Sequence, residues 1–155
     1  MSLLQEGKRV INIDETWLNE TSHIRRSWAR RDGVGNVKLK TVSPRLSLIA
    51  AMDTDGRVWF SLTHANTDSN IMALFLNHLK EKLDQETPGW EEDTFFQVDN
   101  APYHTSEKTR LAANLLRLKL IFSGPYSYSA SPIELLFSAI KHGELNPEVL
   151  PTRKK

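Results

Sequence analysis

Two short apolar runs, residues 46–53 and 57–64, flank Thr54-Asp55-Gly56, and this limits the fold more than any other feature of the chain. Asp-Gly between apolar runs predicts a hairpin, because a type I′ turn needs positive φ at both central residues. The hydrophobic period then changes. Ile71, Leu74, Phe75, Leu79 and Leu83 recur at three and four residues behind polar Asp68, Ser69 and Asn70. That spacing predicts a capped amphipathic helix ending before Thr87-Pro88-Gly89. Residues 8–14 read as an earlier β-branched strand and 23–31 as a basic one, closed by Asp32-Gly33. Further on, 94–99 and 118–122 read as strands, with helices over 106–117 and from Ser131-Pro132. Hairpin-linked strands followed by alternating strand and helix predict an α/β fold. Its sheet is mixed, three strands antiparallel and two parallel, with helices on its faces.

The 155 residues form a single domain by size, and the absence of cysteine excludes disulfides, a thiolate nucleophile and Cys-ligated zinc. The longest apolar stretch, 46–52, is too short to span a bilayer, and polar residues 5–9 interrupt any signal-peptide run. An intracellular protein without a membrane partner is the expectation. The net charge of +1 hides an asymmetry: +4 over residues 1–45, −7 over 46–99 and +4 over 100–155. Basic ends around an acidic middle suit a protein that meets phosphate at its rims and holds cations at its centre. Solvated helix and loop faces produce the same pattern.

Two aspartates are expected to end strands, Asp14 after Val10-Ile11-Asn12-Ile13 and Asp99 after Phe95-Phe96-Gln97-Val98. With a side-chain period of two, Asp14 shares a face with Asn12 and Asp99 shares one with Gln97, while Ile11, Ile13, Phe96 and Val98 point the other way. If the strands are parallel neighbours, both carboxylates emerge at one carboxyl edge, where open α/β sheets place ligands. A strand-end Asp also starts turns without any further role. Glu134 is the third candidate. Ser131-Pro132-Ile133-Glu134 has the pattern of a capping box, yet the buried stripe of Ile133, Leu136, Phe137 and Ile140 leaves Glu134 on another face. Two carboxylates about 4 Å apart repel by roughly 4 kcal/mol at an effective dielectric near 20, so three together call for a cation. All-oxygen donors suit Mg²⁺ or Mn²⁺, which is one option among several at this point.

Ile13-Asp14-Glu15-Thr16, Val98-Asp99-Asn100-Ala101-Pro102-Tyr103-His104 and Gly124-Pro125-Tyr126-Ser127 leading to Ser131-Pro132-Ile133-Glu134 resemble the catalytic domain of mariner-type DDE transposases. So does the interval of 34 residues between Asp99 and Glu134, and so does Trp28 with Arg30, Arg31 and Gly33. The likeness spans about residues 9–142. It departs from the family pattern at Gly124, Tyr128, Ala130-Ser131 and Phe137, none of them a carboxylate.

The resemblance implies a ribonuclease H-like fold with the first Asp on the first strand and the second on the fourth. It implies Mg²⁺-dependent phosphodiester hydrolysis at transposon ends and DNA strand transfer, with two metal ions and Mn²⁺ as a substitute. Asp14, Asp99 and Glu134 are then catalytic residues and metal ligands, and Asn100 and His104 lie beside the site. Arg25, Arg26, Arg30, Arg31, Lys38 and Lys40, with Tyr126 and Tyr128, are expected to contact DNA. The partners implied are double-stranded DNA, as transposon ends and target, and a second copy of the chain. Nuclear location is the expectation in a eukaryotic host, cytoplasmic otherwise. Relative to the family, the chain is expected to lack the N-terminal helix-turn-helix region that reads DNA and to stop short at its C-terminal end. The alternative is a domesticated or truncated, catalytically silent DNA- or protein-binding module on the same fold.

Overall fold

The structure, a computed structural model, describes residues 3–18, 46–124 and 132–141. The strand expected over 23–31 lies outside them. A single 3₁₀ turn, Leu3–Glu6, leads into β1 (Arg9–Leu18). The hairpin strands follow as β2 (Leu46–Asp53) and β3 (Val58–Thr63), then α1 (Ser69–Glu86) and β4 (Thr94–Val98). Next come the short α2 (Pro102–Thr105), α3 (Glu107–Leu115), β5 (Leu120–Phe122) and α4 (Pro132–Ala139). The sheet order is β3-β2-β1-β4-β5, antiparallel from β1 to β3 and parallel from β1 to β5. This is the expected mixture of three antiparallel and two parallel strands. Among the described residues no helix is long and apolar enough to cross a membrane.

The hairpin forms where Asp-Gly predicts it, but not as a type I′ turn. Within this turn only Gly56 has positive φ, at +83°. The loop is a three-residue one, anchored by Asp53. Its buried carboxylate accepts the N–H groups of Asp55 at 3.0 Å and Arg57 at 2.8 Å. Arg9 Nη2 also donates to it at 2.6 Å, which ties the start of β1 to the hairpin.

The two faces of the sheet bury different helices. Ile11, Ile13, Ile49, Ala51, Phe96 and Val98 form one core with Met72, Phe75, Leu76, Leu79 and Leu83 of α1 and Ala113 of α3. On the opposite face Leu48 and Ala50 pack against Ile133 and Phe137 of α4. The α1 stripe is rotated from the expected one: Met72 and Leu76 are buried, whereas Leu74 is 61% exposed. Leu74 fits the three-four spacing equally well, and only the position of the sheet decides between the two stripes. Asp68 caps α1 as expected, its Oδ1 accepting from Asn70 and Ile71.

Two boundaries differ from expectation. The helix expected over 106–117 is present as α3, capped by Ser106, whose extended backbone, ψ 149°, separates it from α2 and whose side chain accepts the N–H of Thr109, but it stops at Leu115, two residues early. And β1 does not close at Asp14. It runs on to Leu18, because β2 continues beside it as far as the Leu18–Leu46 pair.

Candidate active site

The parallel ladder between β1 and β4 pairs Arg9 with Thr94 and ends at Asn12 beside Gln97. Carried two residues further, the same offset sets Asp14 level with Asp99, which follows the last residue of β4. Asp14 therefore sits where β1 leaves β4 while still paired to β2, opposite Ala50. Cross-strand partners share a face. Ala50 faces α4 through the cluster with Ile133, so Asp14 lies on the α4 side of the sheet. As the strand period requires, Ile11 and Ile13 turn to the other side and are buried there.

Glu134 occupies the first turn of α4, beside Ile133, which anchors that turn to the sheet. Its own side chain is exposed. The chain thus brings Glu134 from 35 residues beyond Asp99 to a place where Asp14 feels its charge. Burial pushes the Asp14 carboxyl up to about 6, and the carboxylates of Glu134 and Asp99 add to the rise. The N–H of Glu15, 2.8 Å from Asp14 Oδ1, works in the opposite direction. Whether Ser131 completes a capping box lies outside the described residues.

Asp99 is held on one side. Its Oδ1 accepts the N–H of Ala101 at 2.8 Å and lies 2.6 Å from His104 Nδ1. Both contacts use Oδ1, so Oδ2 meets no hydrogen-bond donor among the described residues. His104 is fully buried and does not cap the following helix, a task taken by Ser106. Asn100 is exposed and donates through Nδ2 to the carbonyl of Ser123 at 2.7 Å, tying the turn after β4 to the end of β5. Gln97 donates to Ser123 Oγ at 2.9 Å from the same edge.

Glu15 was not singled out by the sequence reading. It follows Ile11 and Ile13 on the inward face, so its carboxyl enters the protein on the side opposite Asp14. Burial pushes it up to about 8, helped by Asp14 and Asp99. Its Oε2 lies 3.8 Å from His104 Nε2, and burial lowers His104 despite the neighbouring Asp99. Burial thus pushes both groups toward their uncharged forms. A charged residue in an inward strand position was the signal that could have found it.

The remaining expected contacts, Arg25, Arg26, Arg30, Arg31, Lys38, Lys40, Tyr126 and Tyr128, lie outside the described residues. Among the described residues no three His, Asp or Glu side chains are gathered into a ready-made metal cage. The chemistry of the donors nonetheless fits a hard divalent cation. Asp14, Asp99 and Glu134 offer oxygen only, and beyond the effect of burial the charges of Glu134 and Asp99 add to the rise of the Asp14 carboxyl.

A family model described as DDE superfamily endonuclease matches residues 9–154. Among solved structures, the Mos1 mariner paired end complex with Mn is similar at 18% identity and a TM-score of 0.71, over 97% of this chain and 48% of that one. The Mos1 transposase catalytic domain with Raltegravir and Mn is similar at 18% identity and a TM-score of 0.67, over 97% of this chain and 70% of that one. A Mos1 paired end complex with Mg gives 20% and 0.68, over 89% and 42%. These likenesses show the fold, a ribonuclease H-like sheet flanked by helices. The chain spans about half the length of the paired-end structures it matches. No curated protein matches the chain.

Proposed function

Because the chain belongs to the DDE superfamily of endonucleases, we propose that it cuts the phosphodiester backbone of double-stranded DNA at transposon ends and joins the freed strand to a target, with Mg²⁺ as the natural cofactor. The observation that supports this reading is the strand register, which levels Asp14 with Asp99 at one sheet edge, while Glu134 stands in the first turn of the helix packed on Asp14's face of the sheet. The Mos1 structures with Mn and Mg support the choice of ion.

In this reading Asp14, Asp99 and Glu134 hold two divalent ions, which would sharpen a water or 3′-hydroxyl as nucleophile and stabilise the leaving oxygen. The protein's own part is positional. The β1–β4 register sets the two aspartates side by side, the His104 and Ala101 donors hold Asp99 by one oxygen, and Ile133 anchors the turn bearing Glu134. Asp14 loses its proton to become a ligand, so ion binding weakens as pH falls below about 6. Residues Arg25, Arg26, Arg30, Arg31, Lys38 and Lys40 supply phosphate contacts, Tyr126 and Tyr128 meet DNA near Glu134, and a second copy pairs two DNA ends.

A catalytically silent binding module on the same fold is favoured by one observation, the lack of a ready-made cage among the described residues. Nicking of supercoiled plasmid separates the two readings. Cleavage with Mn²⁺ that disappears in Asp99→Asn is the expected result. No cleavage by the unaltered chain, with Mn²⁺ binding also absent, would favour the silent module.

A further inference from the structure

We propose that Glu15 and His104 are positioning residues, a buried pair that holds the Asp99 carboxylate in its ligand-accepting orientation and links it to the strand bearing Asp14. The proposal rests on the reading of Asp14, Asp99 and Glu134 as metal ligands.

His104 is fully buried on the short helix α2, and both of its ring nitrogens face acidic side chains. Nδ1 lies 2.6 Å from Asp99 Oδ1, and the N–H of Ala101 reaches the same oxygen at 2.8 Å. Two donors on one oxygen fix the carboxylate's rotation and leave Oδ2 to turn outward. Nε2 faces Glu15 Oε2 at 3.8 Å, beyond hydrogen-bond distance, and neither atom has a hydrogen-bond partner among the described residues. The imidazole therefore reaches from the residue next to Asp14 on β1 to the residue after β4.

A core needing only volume would fill this place with an apolar pair, since buried polar atoms without partners are costly. Tyr103 restrains the ring further, its own ring meeting His104 edge-on with centroids 4.5 Å apart. Nor are Glu15, His104 and Asp99 gathered into a ready-made metal cage of their own. Side chains behind metal ligands commonly fix ligand orientation, and their loss costs about 10–100-fold in metal affinity.

The test measures Mn²⁺ affinity by electron paramagnetic resonance and folding by urea titration, in the unaltered chain and four variants. His104→Leu keeps bulk without a donor and should weaken Mn²⁺ binding about 10–100-fold. His104→Asn restores an N–H close to the Nδ1 position and should recover most of the affinity. Glu15→Gln, which keeps a hydrogen-bonding group, should bind near the unaltered level, whereas Glu15→Leu should weaken binding without loss of the fold. In the metal-free chain, ¹⁵N shifts of the ring should report the Nδ1–H tautomer. A folded His104→Leu that binds Mn²⁺ undiminished overturns the proposal. Should that variant fail to fold, an undiminished Glu15→Leu overturns it, and so does an Nε2–H tautomer. No Mn²⁺ binding by the unaltered chain overturns the proposed function itself, and the positioning role with it.

Discussion

Asp14→Asn should abolish cleavage and yet make the metal-free protein more stable. The folded carboxyl titrates at about 6, against 3.8 for an unperturbed one, because burial and the charges of Glu134 and Asp99 oppose ionisation. Between those values the folded state binds more protons than the unfolded state, so stability falls as pH rises from about 4 to about 6. About two units at 1.36 kcal/mol each give about 3 kcal/mol as a ceiling. Asp14 keeps part of its exposure, and solvent screening reduces the penalty to about 1–2 kcal/mol. Asparagine removes the charge while its Oδ1 still accepts the N–H of Glu15. Urea titrations in EDTA should therefore show Asp14→Asn more stable than the unaltered chain by about 1–2 kcal/mol near pH 7.5, with the gap closing below about pH 4. Mn²⁺ should raise the stability of the unaltered chain and leave the variant unmoved. A variant less stable at pH 7.5, or a gap that does not change with pH, would refute the reasoning.

Asp53→Ala should cost about 3–5 kcal/mol by urea unfolding, since it strands the part-buried Arg9 guanidinium and two loop N–H groups that the fully buried carboxylate holds. Phe96→Ala, at a fully buried site on the central parallel pair, should cost about 3–5 kcal/mol by the same measurement. Gly56→Ala, forced to φ +83°, should cost about 1–2 kcal/mol, read as a lowered thermal midpoint. Calorimetric Mn²⁺ affinity should be flat above about pH 7 and fall below about pH 6 as Asp14 takes up its proton; a pH-independent affinity would remove Asp14 from the ligands.

Local chemistry made most of the sheet legible. Alternation in Val10 to Asp14 and in Phe95 to Asp99 fixed which side chains face the helices. The helix-capping Asp68 and the Asp-Gly dipeptide marked real boundaries. What escaped was decided by partners remote in sequence. Leu74 and Met72 both suit a helical stripe, and the sheet beneath chooses Met72. The end of β1 depends on how far β2 runs beside it, which no feature of Glu15-Thr16-Trp17-Leu18 records. At the site, the strand period and the parallel register were enough to level Asp14 with Asp99. Glu15 becomes an acid in an inward position only because β1 runs on beyond Asp14. Its meaning appears once α2 carries His104 beneath the sheet.

Anomalous diffraction from crystals soaked in Mn²⁺ addresses the central claim most directly. The account predicts manganese peaks bonded to side-chain oxygens of Asp14, Asp99 and Glu134 at about 2.0–2.3 Å. Peaks confined to other surfaces, with these three side chains left unliganded at saturating ion, would contradict it.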